Sequence, residues 1–560
     1  MKGHYSDVWQ AIGAAFPDRP AVISRERTLT YGELVREAGG LAATFTGMGL
    51  RPGDAVAILS YNRPEYIVAL LACLSIGVAP VPINFRYRAG EVEALLRDSD
   101  ARAVIFPASL GELAVAATND LETPPHFISI TDGTTHQIGA IPYADAIAPE
   151  VALPATPPPG GELRIYTGGT TGQPKAVVWG AEDILSVQLY SIYAPSGLPL
   201  PEDLDDVVRI AADPATPRVA TLPLAPFMHG TALFTSMNTM VLGGTIIVQA
   251  SASFDPADAA DLALTEGATR LVVAGDAVAL PLVEEAERTR ERTPGAPTIF
   301  DAASSVISSG MRFSAETKRR MHELGDVTII DLLASTEGGP YAVNTTTSAA
   351  EVPGRLRLLP GAVVLDEDFH EVQDQPGGRG ILAFRGTLPR GYWRDEAKTA
   401  ESFPIVGGVR HVMPGDWAIA DGSGFVELLG RGSAVVNTGG EKVYPAEVEE
   451  ALLAYPAVRD AVVFGTPDSR LGETVSAVVA PAEGRSIDVE ELREFVGPRL
   501  AGYKKPRILL VRATLERTPH GKVDLNRMRE WVTQAQEEAP AAPGIPHTSK
   551  ENTQRGGLTE

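Results

Sequence analysis

The chain has a single cysteine, Cys73, among its 560 residues. One cysteine excludes an intrachain disulfide framework and any cysteine-based zinc site. It lies in the apolar run Val68-Ala69-Leu70-Leu71-Ala72-Cys73-Leu74 and reads as a small core residue. No apolar run reaches the ~18 residues needed to span a bilayer, so no transmembrane segment is expected. The N-terminus also lacks a basic segment followed by an apolar core and a cleavage site, which makes the cytoplasm the expected location. Basic residues are in deficit as well: 48 Lys plus Arg stand against 71 Asp plus Glu, a net charge of −23. Such a surface repels nucleic acid and anionic membrane and points to a small-molecule enzyme, with any anionic ligand held at local basic spots.

What is present is an ordinary globular mixture, 44% hydrophobic and 21% charged. The length exceeds what one core supports and predicts two to four domains. Up to about residue 150, helix-like and strand-like segments alternate as in a layered α/β domain. They run Tyr5–Phe16 (helix), Ala21–Ser24, Thr28–Thr30, Tyr31–Met48 (helix), Ala55–Leu59, Pro64–Ile76 (helix) and Ala79–Ile83, then Glu91–Asp98 (helix) and Ala103–Phe106. A proline-rich connection follows at 151–160, a helix at Ala181–Tyr190, and a Pro/Asp-rich stretch at 194–218 that reads as an exposed insertion. Residues 352–430 are rich in short strands and Gly turns and predict a small barrel-like subdomain. The pattern changes at 431–433, a hinge between residues 1–430 and a compact α+β unit at 434–533. The tail, 534–560, is polar, contains Pro and Gly, and is expected to be disordered.

The most informative stretch is Tyr166-Thr167-Gly168-Gly169-Thr170-Thr171-Gly172-Gln173-Pro174-Lys175-Ala176. Its glycines let backbone N–H groups approach an anion, and its threonines and lysine add donors and charge, so it suits a polyphosphate. Strand-like residues flank it on both sides. Lys175 follows a proline and opens no helix, so the loop is not a Walker motif. Further on, His229 stands between an apolar strand and a helix-like stretch, and Ser308-Ser309-Gly310-Met311 is a strand-to-turn segment. The strand beginning at Val327 ends in Ser335-Thr336-Glu337-Gly338, which places hydroxyls and a carboxylate where ligands of α/β sheets bind. Read singly, each of these positions also suits a purely structural part.

Taken in order, the phosphate loop, the His229 segment, Asp331 to Glu337, Pro414-Gly415-Asp416, Gly430-Arg431, Gly439-Gly440-Glu441-Lys442, Gly502-Tyr503-Lys504-Lys505-Pro506-Arg507 and Gly521-Lys522 resemble the adenylate-forming superfamily. This superfamily contains acyl-CoA synthetases, peptide-synthetase adenylation domains and luciferases. Tyr166 to Trp179, Ser308 to Met311 and Arg431 to Lys442 are most similar to actinobacterial acyl-CoA synthetases that activate lipid, sterol and terpenoid acids. The resemblance implies a large N-terminal domain and a mobile C-terminal one, and a ligase that joins a bulky apolar acid to CoA through an acyl-adenylate. It implies ATP, CoA and Mg²⁺ as the small molecules, and it leaves room for a homodimer.

By that resemblance Thr167, Gly168, Gly169, Thr170, Thr171, Gly172 and Lys175 hold the phosphates, and Thr336 and Glu337 serve the α-phosphate and Mg²⁺. Gly310, Met311, Asp331 and Leu333 border adenine, and Asp416 and Arg431 hold the ribose. His229 borders the acyl pocket. Lys522 bridges carboxylate and phosphate during adenylation, and Gly439, Gly440, Glu441 and Lys442 line the pantetheine path after a rotation about Ser433.

Three positions depart from the family pattern: Ala176 stands where glycine is usual, Leu333-Ala334 replaces an aromatic-glycine pair, and Ser433 replaces the usual hinge residue. Ala176 is expected to stiffen the phosphate loop and Leu333 to remove stacking on adenine. Two alternatives follow from them: a ligase with weakened adenylation that mainly thioesterifies a supplied acyl-AMP, and a non-catalytic acyl-nucleotide-binding relative.

Overall fold

The computed structural model describes residues 1, 3–134, 139–167, 174–431, 436–438, 441–468, 472–500, 502–517 and 523–538. Of Arg431, Asn437, Glu441, Lys442 and residues 536–538 it describes the backbone alone. The chain divides into two compact units, Met1–Leu428 and Leu429–Glu560.

The first unit is built on two stacked sheets. One has five parallel strands, ordered Ala79–Ile83, Ala55–Leu59, Ala101–Pro107, His126–Ile130 and Ile141–Pro142. The strands Ala55–Leu59 and Ala79–Ile83 are buried throughout, as strands covered by helices on both faces require. The other sheet has thirteen strands. Its middle is parallel: Thr245–Ile247, Ala220–Pro223, Arg270–Val273, Ser305–Ser309 and Thr328–Ser335 are neighbours in that order.

Between the sheets lies a layer of helices whose side chains form one core. Tyr5, Trp9, Leu34, Leu70, Leu185, Leu233 and Met237 meet there with Ile58 and Ile105 from the small sheet and Val22 and Ile246 from the large one. The outer face of the large sheet carries a second core, around Leu271, Val306, Phe300 and Met321. The outer face of the small sheet carries a third, around Val81, Val104 and Phe106. Layered α/β packing is thus the observed architecture. The strands between Leu356 and Phe425 curl about Ala342, Val364, Leu382, Ala418 and Val426, which gives the β-rich segment its barrel-like core.

The second unit is a sheet of five strands carrying helices Pro445–Leu453, Val489–Val496 and Leu525–Glu538. Its two longest strands, Val458–Asp468 and Gly472–Pro481, pair antiparallel.

Two sequence expectations fail. The stretch 194–218 contains helix Leu204–Ala212, whose Val207 and Ile210 enter the central core. Its spacing of Val207, Ile210 and Ala211 is amphipathic, and Asp203 caps its N-terminus through the Asp206 N–H at 2.8 Å. Residues 534–538, expected in the tail, instead continue helix Leu525–Glu538 past Thr533, and 539–560 lie outside the described residues.

Helix Tyr31–Gly47 shows why two adjacent glycines sit in a helix interior. A Cβ on Gly39 would lie 2.0 Å from the Val151 carbonyl oxygen, and one on Gly40 would lie 2.2 Å from that of Ile147. The connection leading to the phosphate loop crosses the helix at that point. Alanine ordinarily improves a helix interior by roughly 0.5–1 kcal/mol over glycine. Here the overlap with backbone decides the sign, and Gly40→Ala should destabilise the first unit by about 1–3 kcal/mol. A thermal melt checks this, and a raised midpoint would contradict it.

Candidate active site

The parallel strands of the large sheet all end at one edge. The segments leaving those ends carry His229, Gly275 and Asp276, Gly310 and Met311, and Thr336 and Glu337. Ligands of such sheets sit at this edge because the strand termini leave backbone groups and short turns open there. Two of the turns are tied together: Asp276 N–H donates to the Arg312 carbonyl at 2.9 Å, and the Asp276 carboxylate accepts from Ser314 N–H and Oγ, both at 3.1 Å. Gly310 is exposed with φ +81°, a conformation that favours glycine, and the half-buried Met311 follows it. His229 occupies the cap position before helix Gly230–Val241. A Cβ on the next residue, Gly230, would lie 3.5 Å from Thr336 Oγ1, so the start of this helix adjoins the end of strand Thr328–Ser335.

The sequence places a strand on each side of the phosphate loop, and both are present. Glu162–Thr167 and Lys175–Gly180 pair antiparallel, closed by Thr167 opposite Lys175. Residues Gly168, Gly169, Thr170, Thr171 and Gly172 lie outside the described residues. The hairpin is anchored to the sheet edge at 2.8 Å, where the Trp179 indole N–H donates to the Thr336 carbonyl. Its ring also meets Phe234 edge-on, with centroids 5.8 Å apart. Strand Gly391–Tyr392 covers the far side of the hairpin, with Trp393 N–H on the Ala176 carbonyl and Arg390 N–H on that of Val178, both at 2.8 Å.

Glu337 is where these parts meet. Its Oε1 accepts from Tyr392 OH at 2.9 Å and lies 3.4 Å from Thr167 Oγ1. Its Oε2 accepts no hydrogen bond among the described residues. Lys175, at the end of the loop, pairs with Asp395, and that contact leads the causes holding the Asp395 carboxyl below the usual range. A half-satisfied carboxylate beside a phosphate loop fits Mg²⁺, which takes one or two carboxylates and completes its octahedron with phosphate oxygens and water. Among the described residues no cluster of three or more acidic, His or Cys side chains could hold a metal by itself, so phosphate would have to supply ligands.

Asp331 is committed elsewhere, to Lys318 at 2.7 Å, and the Lys318 side chain is 4% exposed. Burial pushes the Asp331 carboxyl up, and Lys318 pulls it back only in part. Asp416 opens strand Asp416–Ala420. Lys522, Gly439 and Gly440 lie outside the described residues, as do the side chains of Arg431, Glu441 and Lys442.

The loop that Ala176 is expected to stiffen lies outside the described residues, and Ala176 itself belongs to the strand that follows it. Ala176 is a strand residue opposite Tyr166, and it is buried. Leu333 pairs with Ala342 and packs on the barrel-like core, so its branched chain has a structural place there. Sequence reading missed Tyr392, Asp395 and Lys318. The first two follow Gly391 in the run Gly-Tyr-Trp-Arg-Asp, an aromatic and charged cluster in a β-rich segment, and that was the available signal.

Lys318→Met should leave Asp331 buried without its counterion and cost about 3–5 kcal/mol. A raised carboxyl pKa in the folded state means the penalty grows as pH rises through that pKa and vanishes below the unfolded value of about 4. Melts of the variant against the parent should therefore converge as pH falls towards 4. A loss independent of pH would contradict the pairing.

The AMP-binding enzyme model matches residues 9–393, and the AMP-binding enzyme C-terminal domain model matches residues 447–522. A medium-chain acyl-CoA ligase, Mig, of Mycobacterium avium is 34% identical, over 93% of this chain and 97% of its own. The 3-oxocholest-4-en-26-oate--CoA ligase of Rhodococcus rhodochrous is 33% identical, over 91% of this chain and 92% of its own. Among solved structures, the anthranilate CoA ligase AuaEII in complex with anthranoyl-AMP shares the fold with TM-score 0.78 at 21% identity, covering 96% of this chain and 98% of that one. ATP-bound MatB of Rhodopseudomonas palustris has TM-score 0.75 at 25% identity, covering 96% of this chain and 100% of its own. With more than half of its length matched by the first model and a second model matched behind it, this chain belongs to the AMP-binding enzyme family.

Proposed function

We propose that the protein is an AMP-forming acid–thiol ligase that converts an apolar carboxylic acid, of the fatty or steroid-acid type, into its CoA thioester. The observation that carries this is the convergence of Thr167, Lys175, Thr336 and Glu337 at one sheet edge. Relatives named as CoA ligases for medium-chain and steroid acids support it at 33–34% identity over more than nine-tenths of the chain.

A carboxylate is a poor acyl donor and is activated first. Its oxygen attacks the α-phosphorus of ATP, forming an O–P bond as the bond to the pyrophosphate oxygen breaks. In the second step the CoA thiol loses its proton, the sulfur attacks the acyl carbon, and AMP departs with the electron pair of the acyl C–O bond. Both steps shift negative charge over phosphate oxygens, so the protein contributes mainly position and electrostatics.

In this reading Lys175 exchanges Asp395 for a phosphate, and Thr336 donates to the α-phosphate. Glu337, steadied by Tyr392, offers its second oxygen to Mg²⁺, which when bound neutralises phosphate charge. The strand ends carrying Gly310, Met311, Leu333 and Asp416 face the nucleoside, and His229 stands on the acyl side. Lys522 bridges the two reacting anions, and the segment at Gly439–Lys442 serves the thiol.

The weakened-adenylation alternative is not favoured, given relatives named as CoA ligases. A non-catalytic role is not favoured either, given the CoA-ligase relatives.

Two assays test the assignment together: acid-dependent ATP–pyrophosphate exchange, and thioester formation from synthetic acyl-AMP. The parent protein should perform both. Lys522→Ala should lower exchange by about a hundredfold or more, the range for a positioned charge in the transition state, and should leave use of the synthetic adenylate within a fewfold of the parent. Equal loss in both assays, or exchange that needs no acid, would contradict it.

A further inference from the structure

Arg270 is the first residue of strand Arg270–Val273, at the end opposite the phosphate-binding edge. Its side chain is buried among neutral partners: Nε donates to Thr221 Oγ1 at 3.0 Å, and Nη2 lies within 2.5–2.9 Å of Thr239 Oγ1, Asn238 Oδ1 and the Thr235 carbonyl. No carboxylate pairs with it among the described residues. Burial alone lowers its pKa, to about 9, so it still carries its charge at neutral pH. A buried charge without a counterion is unfavourable, and proteins keep such groups where something else completes them. The guanidinium has five donors, Nη1 meets no acceptor among the described residues, and the residue keeps 8% of its surface.

The burial pattern shows what Nη1 can reach. Along helix Gly230–Val241, Leu233, Ser236, Met237, Thr239 and Met240 are fully sealed. Thr231 and Phe234 are half-buried, and Thr235 and Asn238 keep 8% and 7% of their surface. These positions recur at intervals of three and four and so form one face of the helix. Strand Ser305–Ser309 repeats the pattern, since Ile307 and Ser309 keep 9% and 7% while Val306 and Ser308 keep none; in strand Arg270–Val273 Arg270 alone keeps surface, 8%.

The open face starts beside the exposed Gly310, where a Cβ would lie 3.9 Å from Thr231 Oγ1, and ends at Asn238 and Arg270. The eight helical rises from Gly230 to Asn238 span about 12 Å. An acid whose carboxylate lies at the sheet edge would lay its tail along this face, which is apolar in the middle and cationic at its foot.

We propose that Arg270, positioned by Asn238, receives an acceptor oxygen carried by the substrate acid at the end remote from the reacting carboxylate. This rests on the ligase reading above and narrows its substrate class to acids with a distal ketone or carboxylate, in preference to methyl-terminated ones. A site built to hydrogen-bond a substrate group discriminates strongly against the analogue that lacks it, because its own polar atoms are then left unpaired.

The test uses the full chain with ATP and CoA and compares kcat/KM for decanoic acid, the methyl ketone 9-oxodecanoic acid and decanedioic acid. At least one oxygenated acid should exceed decanoic acid by about tenfold or more. Arg270→Met should bring that ratio close to one, mainly by raising KM for the oxygenated acid, and Arg270→Lys should restore part of it. Equal use of the three acids by the parent protein overturns the inference whatever the variants do, as does a preference that survives in Arg270→Met. Should that variant fail to fold, Asn238→Leu is read in the same way. Failure to form thioester from any acid would defeat the ligase reading and this inference with it.

Discussion

The site depends on a hydrogen bond to the main chain. Trp179 donates to the carbonyl of Thr336, the residue that follows the end of strand Thr328–Ser335. The hairpin carrying the phosphate loop comes from a small three-stranded sheet, and nothing in its local sequence dictates where it should lie. Tying it to a backbone oxygen of the large sheet makes the loop's position a consequence of strand register and largely independent of side-chain rotamers. Register in a buried parallel sheet is strongly specified, since a slip would turn every apolar side chain to the wrong face. The geometry of the proposed site thus inherits its precision from the core, where Leu271, Val306 and Ile329 pack between the strands and their helices.

The charged groups around this anchor differ in how firmly they are held. Lys175 and Asp395 are 32% and 26% open to solvent, and an ion pair so exposed is weak because water screens it. Such a lysine can leave its partner for a polyphosphate at little cost, which a binding residue needs. Lys318 and Asp331 are enclosed, and each is the other's main compensation. That pair braces the adjoining strand and helix and is poorly suited to exchange. Glu337 stands between these cases, with one oxygen occupied by Tyr392 and the other unbonded among the described residues. It is oriented yet available.

Much of this was legible from residue order. Alternation of apolar strands with amphipathic helices gave the layered α/β fold, and Gly and Thr between two strand-like stretches gave the hairpin that Glu162–Thr167 and Lys175–Gly180 form. Thr336 and Glu337 were legible because a polar run at the end of an apolar strand has a known place in such sheets. What could not be read were partners far apart in the chain. Lys175 and Asp395, or Glu337 and Tyr392, meet only after the strand at 391–392 has docked on the hairpin, and no local period encodes that docking. Ala176 was misread for a related reason. Adjacent to a loop in sequence, it belongs to the strand in register, and only the pairing with Tyr166 shows on which side of the boundary it falls. Helix Leu204–Ala212 was hidden by the prolines and acids around it, although its own apolar spacing was present.

The central claim is that one site couples ATP cleavage at the α-phosphorus to thioester formation. Its most direct measurement is the product balance of a reaction with ATP labelled at the α-phosphate, CoA and an apolar acid such as decanoic acid. The account predicts AMP, pyrophosphate and acyl-CoA in equal amounts, with no AMP formed when the acid is left out. Labelled ADP as the nucleotide product, or AMP formed at the same rate without acid, would contradict it.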